Sequence, residues 1–206
     1  MQTDIFTIGY TGFKIDEFID VLKIYKVNAV VDVRSYPFSK YYSDYNSDTL
    51  ENTLKKSDIS YRLYDKEFGA RQKDYAFYDE NNQFDLTLFS KSEQFKRGMK
   101  RIKKGTNSGF RIALMCAEKN PIECHRAVLV GRELSLVGFN VLHIINKNKI
   151  ITEKQLEEEL VDIYFPEKDQ LSLFNNDNLS LSKQIQKSIE MQRKKIAYHE
   201  KELLNE

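Results

Sequence analysis

The 206 residues are enough for one α/β domain and an appendage, and 32 basic against 31 acidic residues leave a formal charge of +1; this excludes the pervasive positive field of a strongly basic nucleic-acid binder and confines any nucleic-acid contact to a local patch. No apolar run is long enough for a membrane span, and the opening MQTDIFTIGY has neither a basic leader region nor a long apolar core, so a cytoplasmic protein with no membrane partner is expected. The 2 cysteines are expected as reduced thiols rather than a disulfide framework.

The first predicted strand, Ile5 to Ile8, ends in Gly9-Tyr10-Thr11-Gly12 and leads into a helix from about Ile15 to Tyr25. The second, Ala29 to Val33, is nearly all β-branched, as expected of a strand buried on both faces, and carries Asp32, Arg34 and Ser35 at its end. Leu50 and Leu54 suggest a short helix. Ile59 to Leu63 reads as a third, weaker strand, followed by DKEFGAR. Residues 75–95, rich in Tyr and Phe, read as loops and helical turns. The fourth strand covers residues 111–116 and the fifth Asn140 to Ile145, where His143 sits in an apolar alternation and reads as core. Thr152-Glu153 opens a capped acidic helix. The expected fold is α/β, a mainly parallel sheet with flanking helices over residues 1–165, then a polar linker over 166–182 and a charged helical tail over 183–206 that frays or docks a partner.

Polar signatures follow several strands, and in a parallel sheet such loops share the carboxyl edge where ligands bind. The densest is Cys116-Ala117-Glu118 followed by Cys124-His125-Arg126, where an amphipathic pattern (Ala127, Val128, Val130, Leu134, Val137) begins. A thiol at a helix start beside cations is disposed to ionise, so Cys116, Cys124, His125, Glu118 and Asp32 are the candidates for proton transfer or nucleophilic work. Arg34, Ser39, Arg71 and Arg126 are the candidates for anionic groups, with Lys40 a lesser one. Plain structural readings stand beside these: an Asp32–Arg34 pair fixing its loop, Glu118 capping a loop, Cys116 as core. No cofactor is predicted. Zinc on Cys116, Cys124 and His125, with His143 a distant fourth, is an option whose spacing matches no common CxxC pairing.

TIGYTG, VVDVRSYPFSK, FGAR, ALMCAEKNPIECHR and ELSLVGFNVLHI together resemble the bacterial "domain of unknown function 488" family over roughly residues 4–146, which implies a fold and a residue set and no reaction. VVDVRS, and IALMC followed by a helix ending in GFNV, resemble rhodanese-like sulfurtransferases more weakly. That resemblance would make Cys116 the nucleophile, although the loop is longer than theirs and the C-x5-R anion loop of related phosphatases is absent. Gln170, Leu171, Leu173 and Phe174, in QLSLF, resemble the pentapeptide that bacterial proteins insert into the sliding clamp. The expectation is therefore a hydrolase-like enzyme of DNA repair or processing that binds DNA or a nucleotide and is tethered to the clamp. The alternatives are a thiol-dependent sulfurtransferase and a non-catalytic nucleotide- or DNA-binding adaptor.

Overall fold

The structure, a computed structural model, describes residues 2–166 and 179–200. One sheet contains β1 (Asp4–Gly9), β2 (Ala29–Asp32), β3 (Ser60–Leu63), β4 (Ile112–Cys116), β5 (Asn140–Asn146) and β6 (Lys149–Thr152), in the order β3-β2-β4-β1-β5-β6. The first five strands run parallel, and β6 returns antiparallel on β5. The α/β class and mainly parallel sheet are as expected; β6 was not foreseen.

β2 (AVVD) and β4 (IALMC) are buried along their whole length because helices cover both faces of the sheet. The strand alternation divides the core. Phe6, Ile8, Val30, Ala113 and Met115 pack with Phe18 and Leu22 of α1 (Ile15–Ile24) and Leu50 and Leu54 of α2 (Ser47–Lys55). Their neighbours Ile5, Val31, Ile112, Leu114 and Cys116 pack with Phe68 of α3 (Asp65–Phe68), Phe89 of α4 (Leu86–Ser90), Phe95 and Ile102 of α5 (Glu93–Asn107) and Leu134 of α6 (Arg132–Leu136). α5 lies partly where loops were expected. Ser92 Oγ caps it by accepting the Phe95 N–H at 3.1 Å, and its buried Phe95, Gly98 and Ile102 recur at helical spacing.

β1 and β4 are adjacent, yet the chain after β1 crosses to β2 on one side and the chain after β4 crosses to β5 on the other. This makes their carboxyl ends a topological switch point, the usual place for a ligand in an open α/β sheet.

α7 (Glu153–Tyr164) carries the expected capping box, in which the Thr152 and Gln155 side chains each accept the other's backbone N–H. The tail differs from expectation. α8 (Leu181–Ile196) starts before Lys183, ends at Ile196 and is packed into the molecule, with Ile189, Gln192 and Arg193 buried. Gln192 Nε2 donates to Ile122 O at 2.6 Å, and Arg193 Nε to Val128 O at 2.8 Å. The chain then runs extended past the α4 approach, where Phe84 N–H donates to Tyr198 O at 2.8 Å and Glu200 N–H to Asn82 O at 3.0 Å. No helix among the described residues is long and apolar enough to cross a membrane.

Candidate active site

The chain leaving β4 stays paired to the chain leaving β1: Tyr10 N–H donates to Cys116 O and Thr11 N–H to Ala117 O, both at 3.0 Å. At Gly9 an added Cβ would lie 1.8 Å from Glu118 O, so only glycine lets the two backbones approach this closely. Asn120 Oδ1 then caps a short 3-10 turn, Pro121–Glu123, by accepting the Ile122 N–H at 3.3 Å. Cys124 and His125 follow, and a π-helical run, Arg126–Gly131, leads into α6. π segments inside helices recur at functional sites. Arg126, expected to bind an anion, is fully buried; its guanidinium donates from Nη1 to Glu118 O at 2.5 Å and from Nη2 to Lys119 O at 3.2 Å. It ties the loop from behind and does not line the cleft.

This loop gathers the reactive groups. Cys116 Sγ lies 4.0 Å from His125 Nδ1, and His125 Nε2 lies 2.9 Å from Val33 O. A carbonyl can only accept, so Nε2 carries a proton and the ring presents Nδ1 to the sulfur. Cys124 Sγ is 2.8 Å from Glu118 Oε2 and accepts the Arg126 N–H at 3.5 Å. The hydrogen bond to Cys124, then burial, pushes the Cys116 thiol up. Burial opposes ionisation of Cys124, but the Cys116 hydrogen bond and the positive Arg126 and His125 outweigh it and hold that thiol low. Burial, with the Cys124 charge, pushes Glu118 up, while His125 is raised by Cys124 and Glu118 against the effect of burial. The Cys124 thiol donates to Glu118 Oε2, and the opposite shifts of the two groups bring their affinities for that proton closer together.

At the end of β2, Asp32 is fully buried and wholly committed. Its carboxylate accepts from Arg34 Nη2 at 2.6 Å, Arg34 Nε at 2.9 Å, the Arg34 backbone N–H at 3.1 Å and Tyr61 Oη at 2.7 Å. It does not line the cleft, and of the readings considered from sequence this geometry favours the Asp32–Arg34 pair that fixes the loop. It anchors Arg34, whose Nη2 also donates to Tyr45 O at 2.7 Å and whose guanidinium lies 5.1 Å from the centre of the Tyr10 ring. Burial lowers the Arg34 pKa, but the bonds to Asp32 outweigh it and the net shift is upward. Ser39 lines the cleft, but its Oγ is occupied in a turn, accepting the Tyr41 and Tyr42 N–H groups at 3.2 Å each. In FGAR, Gly69 passes so close to α3 that a Cβ would sit 2.4 Å from Asp65 O, and Arg71 N–H donates to Ser35 Oγ at 2.8 Å.

The result is a cleft of about 670 Å³ at the switch point, with Cys116, Glu118, Cys124 and His125 on its lining. Arg34, Ser39 and Arg71 also line it, whereas Lys40 does not. His143, the distant fourth ligand of the zinc option, is elsewhere: its buried ring joins Thr7 Oγ1 at 2.9 Å and Glu153 Oε2 at 3.0 Å. Sequence reasoning missed the aromatic lining: Tyr10, Tyr36, Phe38, Tyr42 and, from the far end of the chain, Tyr198 with His199. Tyr36 and Phe38 were visible as aromatics inside DVRSYPFSK. Tyr198 had no local signal, and Arg71 sits 4.2 Å over its ring. Gln170, Leu171, Leu173 and Phe174 lie outside the described residues.

A family model described as "Domain of unknown function DUF488" matches residues 14–132, more than half of the chain. No curated protein and no solved structure matches.

Proposed function

Because the chain belongs to the DUF488 family, whose description assigns no reaction, we propose its function from the cleft: a cytoplasmic, hydrolase-like enzyme of DNA repair or processing that acts on a nucleotide or nucleic-acid strand. One observation carries this reading. Aromatic rings with accessible faces share a cleft with two arginines, and the cluster of Cys116, Glu118, Cys124 and His125 opens into the same space. Tyr36 and Phe38 keep 71% and 53% of their surface exposed, although apolar faces at a cleft mouth are costly unless something covers them. Stacking platforms beside cations are the chemistry that holds unpaired bases and their phosphates. In this arrangement Arg71 and Arg34 hold the anionic groups, the aromatics hold a base, and Glu118, already sharing a proton with a neighbour, moves protons at the bond that breaks. The tether to a bacterial sliding clamp through QLSLF belongs to the same proposal and is supported by the pentapeptide's sequence alone.

The test is equilibrium binding of a fluorescent single-stranded oligonucleotide and of mononucleotides, with polyphosphate as a base-free control. Stacking is worth about 1–3 kcal/mol per base, so Tyr36→Ala and Phe38→Ala should each weaken oligonucleotide binding roughly 5- to 150-fold and leave polyphosphate binding unchanged. Arg71→Ala should weaken both. Equal binding of both ligands by the wild type, with no effect of either aromatic change, rules out a base-directed cleft.

A further inference from the structure

We propose that Cys116 Sγ, Cys124 Sγ and His125 Nδ1 bind one divalent transition-metal ion of the zinc class, leaving its fourth position open to the cleft. This deepens the reading of the cluster as a reaction centre, and it rests on that reading only for what the ion would do there.

The three donor atoms lie within 4.8 Å of one another, with Cys116 Sγ and His125 Nδ1 4.0 Å apart. Metal–sulfur bonds of about 2.3 Å and metal–nitrogen bonds of about 2.0–2.1 Å at tetrahedral angles call for donor separations of roughly 3.5–3.8 Å. The set therefore has to close by at most about an ångström, within the reach of cysteine rotamers on an unmoved backbone. The imidazole is already prepared: a backbone carbonyl holds Nε2–H, the outer-shell bond that metal-ligating histidines make through their second nitrogen. That carbonyl is rigid, since Val33 N–H is itself bonded to Met115 O at 3.0 Å. The Arg126 N–H pointing at Cys124 Sγ is a further bond that stabilises a sulfur anion.

Both thiols are free and buried, 3% and 1% exposed, and both stand where the apolar core meets the cleft, on whose lining they lie. Three protein ligands with an open position facing a cavity is the pattern of a catalytic ion, whereas a structural ion has four. Glu118, beside the ligand Cys124, then stands where a group serving a metal-bound water would stand. Binding is balanced as two thiols plus one dication giving a neutral dithiolate complex and two released protons.

The test uses the full chain, purified without a metal-affinity step, reduced, stripped with a chelator and titrated with Co2+ and then Zn2+. The expected result is saturation at about one ion per chain, with sulfur-to-cobalt charge-transfer absorption, the visible bands of a tetrahedral site and release of about two protons per ion. In the stripped protein both thiols should react with an aromatic disulfide reagent, and in the loaded protein neither should. Cys124→Ser and His125→Ala should lose the charge-transfer signal or fall at least tenfold in affinity, whereas Glu118→Gln should keep the metal. The wild-type titration decides the matter even if a ligand variant fails to fold. Absence of charge-transfer absorption in the reduced wild-type protein, or a Cys116–Cys124 disulfide whose reduction yields a chain that still takes no metal, overturns the proposal. No nucleotide enters the titration, so its failure is separate from failure of the oligonucleotide test.

Discussion

Asp32→Ala should be among the most damaging single changes available in this protein. Asp32 is fully buried, and Arg34 is only 5% exposed. The truncation strands a buried guanidinium whose Nε and Nη2 both point at the missing carboxylate, and it leaves the Tyr61 hydroxyl without its acceptor. Breaking one side of a buried ion pair costs about 3–5 kcal/mol, and the orphaned hydroxyl places this case toward the upper end. For a chain of this size that is a fall in Tm of roughly 6–20 °C. Urea unfolding followed by circular dichroism measures it, provided the slope of the transition is unchanged. Asp32→Leu combined with Arg34→Met should recover part of that loss, because the desolvated charges leave together, and should stay about 1–3 kcal/mol below the wild type, because the Tyr61 hydroxyl and Tyr45 O lose their partners. The same double variant should lose anion binding, since it removes a cation from the cleft. A loss below about 1 kcal/mol in Asp32→Ala, or a double variant as unstable as the sum of the single changes, would refute the view that Asp32 serves only to hold Arg34.

Gly9→Ala places a methyl group 1.8 Å from Glu118 O and 3.1 Å from Arg126 Nη1, so the loop must move; near-complete loss of Co2+ binding and oligonucleotide turnover is expected, with a folded far-ultraviolet spectrum. Stability should fall steeply above about pH 10, because burial pushes the Tyr61 and Tyr45 hydroxyls up and they stay neutral in the fold while the unfolded chain ionises. The sign follows from the folded state binding more protons there, at about 1.4 kcal/mol per pH unit for each tyrosine, and Tyr61→Phe should flatten the slope by one such increment in unfolding experiments between pH 9 and 12. Calorimetry against a bacterial sliding clamp should give an affinity on the order of micromolar, abolished by Leu173→Ala with Phe174→Ala at unchanged Tm; no heat with the wild type removes the tether.

The parallel sheet was legible because Ala29–Val31 and Ile112–Met115 are continuous apolar runs, a pattern that double-sided burial explains. The position of the site was legible for the same reason, since strand ends in such a sheet share an edge. What escaped were features set by distant partners. β6 carries Ile150 and Ile151 without clear alternation and is held by pairing with β5. α5 shows only a narrow apolar stripe among many lysines and arginines. Arg126 read as a ligand-binding cation because its charge is visible in sequence, whereas the two carbonyls that receive it are visible only in the fold. Tyr198 reaches the cleft only because Gln192 and Arg193 hold α8 against the site loop and the π run.

The π-helical run Arg126–Gly131 has a consequence for insertions and deletions. A π turn accommodates more residues than the 3.6 of an α turn, and each residue of an α-helix advances about 100° around its axis. Deleting a single residue between His125 and Gly131 would let the run close to ordinary α geometry with its two ends nearly in their present phase, because the extra residue is taken up within the wide turn. Any further change of length has no such slack: each added or removed residue turns one end by about 100°, so that either Leu134 would leave its place in the core or Cys124 and His125 would swing away from Cys116 and Val33. The segment is therefore expected to tolerate the loss of one residue better than any other change of length.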